Sequence, residues 1–191
     1  MEYVIVYINL HLLKIKQDYK NMITLYLCRH GRTLENEAGI LQGQSPDYGH
    51  LSETGKVQAI EMGKKLRDIK ADVIITSDLQ RCIDTAQLAL GKDVAIVKEP
   101  LLRERDWSYM VGKTIKEGAK VETDSAETIE SMTSRARALL EKWKKEYDGK
   151  SIIAVGHGFI NRVLQAVYYR KYYKEIEPMD NTEIRRMIIE N

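Results

Sequence analysis

The stretch "LYLCRHGRTLEN", residues 25–36, runs from an apolar segment into a polar, glycine-bearing loop. Leu25 to Cys28 belong to the longer run "MITLYLC" (22–28), whose short, continuous hydrophobicity predicts a buried strand. That run ends abruptly in Arg29, His30 and Gly31. One reading is an ordinary strand end followed by loop residues. The other is a rigid strand that presents a guanidinium and an imidazole to something carrying negative charge. Whether the same ending recurs elsewhere in the chain separates the two.

Working outward, Ser52 and Glu53 predict a helix start, with Ala59, Met62, Leu66 and Ile69 on one face. "DVIIT" (72–76) predicts a strand, and Asp78 is placed as the cap of the next helix, whose apolar stripe is Leu79, Ile83, Ala86 and Leu90. "VAIV" (94–97) is a third strand candidate, while residues 99–125 follow no periodic pattern. Ile129, Met132, Ala136, Leu139 and Trp143 recur at spacings of three and four and predict a long amphipathic helix. "SIIAV" (151–155) predicts a fourth strand, then come Gly156-His157-Gly158, a helical stretch over 160–170, and a last strand in "TEIRRMIIE" (182–190). Strands separated by helices imply an α/β fold of three layers, α/β/α, around a mostly parallel central sheet. The domain is expected over 22–191. Residues 1–21 form an extension, whose "YVIVYINLHLL" (3–13) is too short to span a bilayer and lacks a basic flank or cleavage site; it is read as an appendage without a part in the chemistry.

A chain of 191 residues is long enough for one domain with its own core. Its 30 basic and 28 acidic residues nearly cancel, so no broad case exists for a nucleic-acid or membrane partner, and any anion site must be a local cluster. The aromatic-basic stretch "YYRKYYK" (168–174) is read as a helix end packing its tyrosines on the domain, not as a nucleic-acid surface. Cys28 and Cys82 form no CxxC pair and no zinc spacing; they are expected in the core of a protein of the reducing cytoplasm. Homo-oligomerisation is left open.

Three predicted strands share one kind of ending. The first ends in Arg29-His30, the second leads within a few residues to Arg81 in the first turn of its helix, and the fourth ends in Gly156-His157-Gly158. Ligands of open α/β sheets bind outside the carboxyl ends of the strands. If these strands are neighbours, two arginines and two histidines meet, and they repel unless an anion lies between them. A phosphate fits: arginine forks match its oxygens, the glycines allow close backbone approach, and the helix after His157 is expected to point amide N–H groups at it. Other phosphate chemistries fail on spacing. "VGKT" (111–114) has Trp107 where a nucleotide-binding loop needs glycine, the sixth residues after Cys28 and Cys82 are Leu34 and Leu88 rather than arginine, and no G-x-S-x-G is present.

The sequence resembles the histidine phosphatase superfamily, in the branch that holds cofactor-dependent phosphoglycerate mutases and their phosphatase relatives. The signature R-H-G-x-T-x-x-N stands at Arg29, His30, Gly31, Thr33 and Asn36. "LQGQ" (41–44), "LSETGKVQA" (51–59), "SDLQRCIDTA" (77–86), "LLRERDW" (101–107), "VGHGFINR" (155–162) and "NTEIRRM" (181–187) follow in the family's order, so the resemblance runs from about Met22 to the end. It implies a phosphoglycerate mutase-like fold and a small phosphorylated substrate, with no metal and no cofactor. His30 would be the nucleophile that forms a phosphohistidine. Arg29, Arg81 and a cationic His157 would stabilise the phosphoryl group, and Glu104 would be the general acid. From the residues alone, nothing separates Glu104 from Asp106 or Glu99. Thr33, Asn36 and Gly158 would hold the phosphate loop or the substrate; Asn181 receives no role. Arg32, Ser108 and Val111 depart from the family pattern. Between Glu104 and the helix near Thr128 there is only a short segment, and the chain ends at Asn191 just after its last strand. An open mouth lets water reach the phosphoenzyme, so a phosphatase is expected; the alternatives are a phosphoglycerate mutase and a non-catalytic phospho-ligand-binding protein.

Overall fold

Five strands carry the site, and four of them run the same way. The computed structural model describes residues 22–114, 116 and 126–190; the expected extension over 1–21, and most of the unpatterned stretch after residue 114, lie outside these. In chain order the elements are β1 (Met22–Arg29), α1 (Leu34–Ala38), α2 (Glu53–Leu66), β2 (Val73–Thr76), α3 (Gln80–Leu90), β3 (Val97–Lys98), α4 (Ile129–Glu146), β4 (Ser151–Gly156), α5 (Gly158–Tyr169) and β5 (Ile184–Glu190). The sheet order is β3-β2-β4-β1-β5, with β5 antiparallel to β1 and every other pair parallel.

The period of two along the central strands divides the core into two clusters. Ile23, Leu25 and Leu27 of β1, with Ile152 and Ala154 of β4, pack against α4 (Met132, Ala136, Leu139, Trp143) and α5 (Ile160, Val163, Leu164). Ile153 and Val155 of β4, with Cys28, pack against Met62 and Leu66 of α2 and Cys82 and Ala86 of α3. The three layers expected from the sequence follow from this division. Both cysteines are fully buried core residues, as expected. Among the described residues, no helix is long and apolar enough to cross a membrane.

Two local expectations are corrected. The third strand is only Val97–Lys98, not 94–97. Val94 is tied by its amide to Gly91 in the preceding turn, and Val97 sits 43% exposed on a sheet edge, where little burial extends the ladder. Asp78 does not cap α3, whose N-cap is Leu79 without a side-chain bond. Instead the Asp78 carboxylate accepts both Nε (2.8 Å) and Nη2 (2.6 Å) of Arg103. This fork ties the segment containing Glu104 to the end of β2. Arg135 of α4 braces the same segment, donating to the carbonyls of Leu101 (2.9 Å) and Arg103 (2.6 Å) while its Nε and Nη2 hold the Glu127 carboxylate.

Candidate active site

β2, β4 and β1 are consecutive in the sheet, so their carboxyl ends open on one crevice. Arg29 pairs in register with Gly156, and the His30 amide donates to the Gly156 carbonyl at 3.0 Å. The two strand endings seen in the sequence are therefore side by side. Arg81 enters from the first turn of α3.

The imidazoles of His30 and His157 meet edge to face, with ring centroids 5.1 Å apart. Both are buried, as is Arg81. Arg81 donates Nε–H to His157 Nδ1 (3.1 Å) and Nη2–H to the Gly43 carbonyl (2.8 Å). Arg29 donates Nη1–H to the Met179 carbonyl at 2.6 Å, and its buried Nε has no protein acceptor among the described residues. A Cβ on Gly158 would lie 3.3 Å from the Arg29 guanidinium carbon, so glycine there lets the arginine lie against the start of α5. His30, His157 and Arg81 thus pack together, and Arg29 lies against the start of α5.

His30 Nδ1 lies 2.7 Å from the Gly31 carbonyl. A carbonyl only accepts, so Nδ1 carries the proton and Nε2 keeps its lone pair. Burial first, and then the charges of Arg81 and Arg29, push the His30 pKa well below the usual imidazole range. His157 is pushed down as well, by burial and then Arg81, His30 and Arg29. A cationic His157 is thereby corrected to a neutral one: its lone pair at Nδ1 takes the Arg81 proton donor, which leaves its own proton on Nε2.

The structure separates the three carboxylates that the residues alone left open. Glu99 is buried against Lys142 (2.7 Å) and the Leu101 amide. Asp106 is exposed and accepts from the Ser108 amide. Glu104 is the one whose charge acts on both Arg29 and Arg81. Its Oε2 accepts from the Phe159 amide (3.1 Å), and its Oε1 from the amides of Ile160 (3.2 Å) and Arg105 (2.9 Å). Two of the first amides of α5, those of Phe159 and Ile160, are thus engaged by a carboxyl group of the chain's own. Gln44 donates to the Glu104 carbonyl at 2.8 Å, giving the "LQGQ" loop a part in placing Glu104. Beside it, Trp107 and Phe159 stack edge to face at 6.3 Å, with the Arg105 guanidinium 4.3 Å above the Trp107 ring.

Thr33 is fully buried and caps α1; its hydroxyl accepts the Asn36 amide (3.1 Å) while Asn36 Oδ1 accepts the Thr33 amide (3.2 Å). Of the two roles offered for Thr33, burial leaves loop-holding. Asn36 is half-buried, and Arg32 is exposed, with its carbonyl accepting the Ser52 amide. Asn181, unassigned from the sequence, donates Nδ2–H to the His30 carbonyl at 3.0 Å and to Asn36 Oδ1 at 3.4 Å. Its signal was its place at the head of "NTEIRRM".

The profile of the Histidine phosphatase superfamily (branch 1) matches residues 25–191. The chain belongs to the histidine phosphatase superfamily. It is 33% identical over 150 residues to a protein of Schizosaccharomyces pombe named as a probable phosphatase, spanning 74% of this chain and 71% of that one. It is 31% identical over 166 residues to a metal-independent phosphoserine phosphatase of Arabidopsis thaliana, spanning 76% and 67%. The fold matches the crystal structure of a phosphoglycerate mutase from Bacillus anthracis with a TM-score of 0.77 at 22% identity, covering 91% of each chain. As a histidine phosphatase, the chain is a phosphomonoester hydrolase.

Proposed function

We propose that this histidine phosphatase hydrolyses a small phosphorylated metabolite through a phosphohistidine on His30, within a catalytic domain over 22–191. The observation that carries the reading is the His30 tautomer. Nδ1–H is engaged by Gly31, and the ring is held neutral by burial and two guanidiniums, so the Nε2 lone pair is available at ordinary pH.

In the first step Nε2 attacks phosphorus and the bond from phosphorus to the ester oxygen breaks. Glu104, as the acid, gives the leaving oxygen its proton. Arg29, Arg81 and His157 stabilise the equatorial oxygens, and each such donor is worth roughly 10²–10³ in rate. In the second step water attacks phosphorus, the Glu104 carboxylate takes the water proton, the P–N bond breaks, and its electrons return to Nε2 as phosphate leaves. Trp107, Phe159 and Arg105 beside Glu104 form the wall against which the alcohol portion selects. Cytoplasmic residence belongs to the same reading and is supported by the two free, buried thiols.

The test is labelling with a ³²P-phosphate monoester and an alkaline quench, which preserves phosphohistidine. Label on the peptide carrying His30, absent in His30→Ala, is expected. Turnover without a labelled His30, or with His30→Ala fully active, would overturn the mechanism. With 3-phosphoglycerate as feed, release of inorganic phosphate is expected; isomer without phosphate release would make the chain a mutase.

A further inference from the structure

We propose that Asn181 is a positioning residue that sets the orientation of the Asn36 carboxamide and the backbone of the nucleophile, and so makes the phosphate site competent. The inference rests on the phosphate site proposed above.

Some groups around Asn181 have hydrogen-bonding roles that admit no choice. The His30 carbonyl only accepts, so the atom of Asn181 that lies 3.0 Å from it is the NH2 group. That same NH2 lies 3.4 Å from the Asn36 side chain, which must present oxygen to it. The Thr33 amide, 3.2 Å away, makes the same demand. Two donors thus converge on Asn36 Oδ1, and the flipped carboxamide would set NH2 against two N–H groups. Asn36 Nδ2 is therefore directed away from both, and no acceptor among the described residues takes it. A neutral donor beside the nucleophile loop is what an anion in the crevice requires. Asp at position 36 would satisfy the same two donors yet add negative charge and offer no N–H.

The surroundings of Asn181 are built to hold it. The Thr182 amide donates to the Arg29 carbonyl (3.1 Å), and the Arg29 amide donates to the Glu183 carbonyl (3.2 Å). Thr182 adopts φ 60°, a left-handed turn that residues other than glycine rarely take. The Glu183 amide closes onto Asp180, and the Glu183 side chain accepts the Asp180 amide (2.7 Å) and pairs with Arg185 (2.6 Å). The turn before β5 is thus clamped to the last residue of β1 on one side and braced by its own ion pair on the other. Its one side chain that reaches the signature loop is Asn181. Beside the two backbone bonds to Arg29, that carboxamide ties the turn to the His30 carbonyl and to the Asn36 side chain.

The test uses the full chain and two readouts. Asn181→Asp is isosteric, but both its oxygens accept, so it repels the His30 carbonyl and invites Asn36 to flip. Inorganic phosphate binding is measured by calorimetry, independent of turnover, and kcat and KM are measured with p-nitrophenyl phosphate well below the melting transition. The expected result is a loss of phosphate affinity and of kcat/KM, each roughly tenfold to a hundredfold. In an Asn36→Ala background, the effect of Asn181→Ala should be smaller than in the wild type, because the share carried through the Asn36 carboxamide is already gone and only the bond to the His30 carbonyl is left to lose. Phosphate affinity and kcat within about twofold of wild type, or fully additive losses in the double variant, would overturn the proposal. A purely structural role would lower the melting temperature and leave both readouts in place. If Asn181→Asp does not fold, Asn181→Ser keeps a donor too short to reach both acceptors and carries the same test. Failure of His30 labelling in the wild type would overturn the phosphohistidine reading alone, since phosphate binding is scored separately.

Discussion

Arg81 donates its Nε–H to Nδ1 of His157 across 3.1 Å, while His30 donates its Nδ1–H to the Gly31 carbonyl across 2.7 Å. The two imidazoles of the crevice are therefore opposite tautomers. One offers a lone pair at Nε2, the other a proton at Nε2, and neither adds a positive charge that would suppress the proposed nucleophile.

The first prediction is spectroscopic. In ¹⁵N spectra, His30 should show the Nδ1–H form and His157 the Nε2–H form, and neither should titrate near the ordinary imidazole value of about 6.5. The pKa values of both are pushed well below the usual range by burial and by the neighbouring arginines. A midpoint near the ordinary 6.5 for either ring would contradict this assignment.

The second prediction follows by linkage. Both histidines are depressed in the folded state, so the unfolded chain binds protons that the folded chain refuses. Their contribution to stability is complete above about pH 6.5 and is lost as pH falls toward the folded-state values, by about 1.4 kcal/mol per pH unit for each ring. Denaturant unfolding at about pH 7.5 and 5.5 measures it. His157→Asn should show the shallower dependence, by one proton's worth. Asp78 and Glu183, whose pKa values are lowered by their arginine partners, act only at more acidic pH. Equal pH slopes for wild type and variant would refute the assignment.

The third prediction concerns Glu104 as the proposed acid. Glu104→Gln removes the transferable proton and also sets an NH2 against backbone amides that now donate to both carboxylate oxygens. The two effects separate by leaving group. Positional damage slows every substrate alike, whereas loss of the acid spares p-nitrophenyl phosphate and slows alkyl phosphates by roughly 10²–10⁴. A uniform loss across a leaving-group series would remove Glu104 from that role.

How much of this was legible in the chain can be traced residue by residue. The strands were, because Leu25, Ile75 and Ile153 lie in short apolar runs that only a buried sheet accommodates, and the parallel order of β2, β4 and β1 then carried Arg81, His157 and His30 together. The place of Glu104 was legible only through the resemblance, because it lies where the chain forms two short 3-10 turns, Pro100–Leu102 and Ser108–Met110, which carry no periodicity. What places it is tertiary: the Asp78–Arg103 fork, Arg135 reaching from α4, and the amides of α5. Asp78 was misread for the same reason, since a cap and an ion-pair partner look identical until the distant arginine is in place. Asn181 escaped because its acceptors are a carbonyl and a side chain about 150 residues upstream, and a backbone acceptor has no sequence signature.

The fourth prediction turns on Ser108, which stands at φ 50°. The left-handed region costs a residue with a Cβ roughly 1–2 kcal/mol, while glycine costs about 0.5–1 kcal/mol through the freedom of the unfolded chain. The first exceeds the second, so Ser108→Gly should stabilise by about 0.5 kcal/mol and raise the melting temperature by about 2 °C. The 2.7 Å bond from the Ser108 amide to Asp106 is backbone-borne and survives the change. A lower melting temperature would show that the serine hydroxyl holds more than the turn.

The fifth prediction links the packing of α2 to the nucleophile. A Cβ on Gly55 would overlap the Arg32 carbonyl oxygen, and one on Gly31 would lie 2.6 Å from the Gly55 carbonyl. The first turn of α2 thus lies backbone to backbone against the signature loop. The loop cannot yield freely, because the Arg32 carbonyl accepts the Ser52 amide (3.0 Å), the Arg32 amide donates to Gln58 (3.0 Å) and the Gly31 amide donates to Thr85 (2.9 Å). Helix propensity favours Ala over Gly by about 1 kcal/mol, whereas forcing a methyl into such a contact costs about 1–3 kcal/mol. Gly55→Ala should therefore destabilise on balance, and the displaced Gly31 carbonyl should loosen its bond to His30 Nδ1. Below the melting transition, kcat should fall more than KM rises, and the ¹⁵N spectrum should show His30 losing its fixed Nδ1–H form. Gly91→Ala, with open space around its Cβ position but φ 114°, tests backbone strain without touching the loop. It should lower stability and leave the His30 tautomer intact. A Gly55→Ala protein that keeps both its kcat and its His30 signal would show that the contact between α2 and the loop has no bearing on the nucleophile.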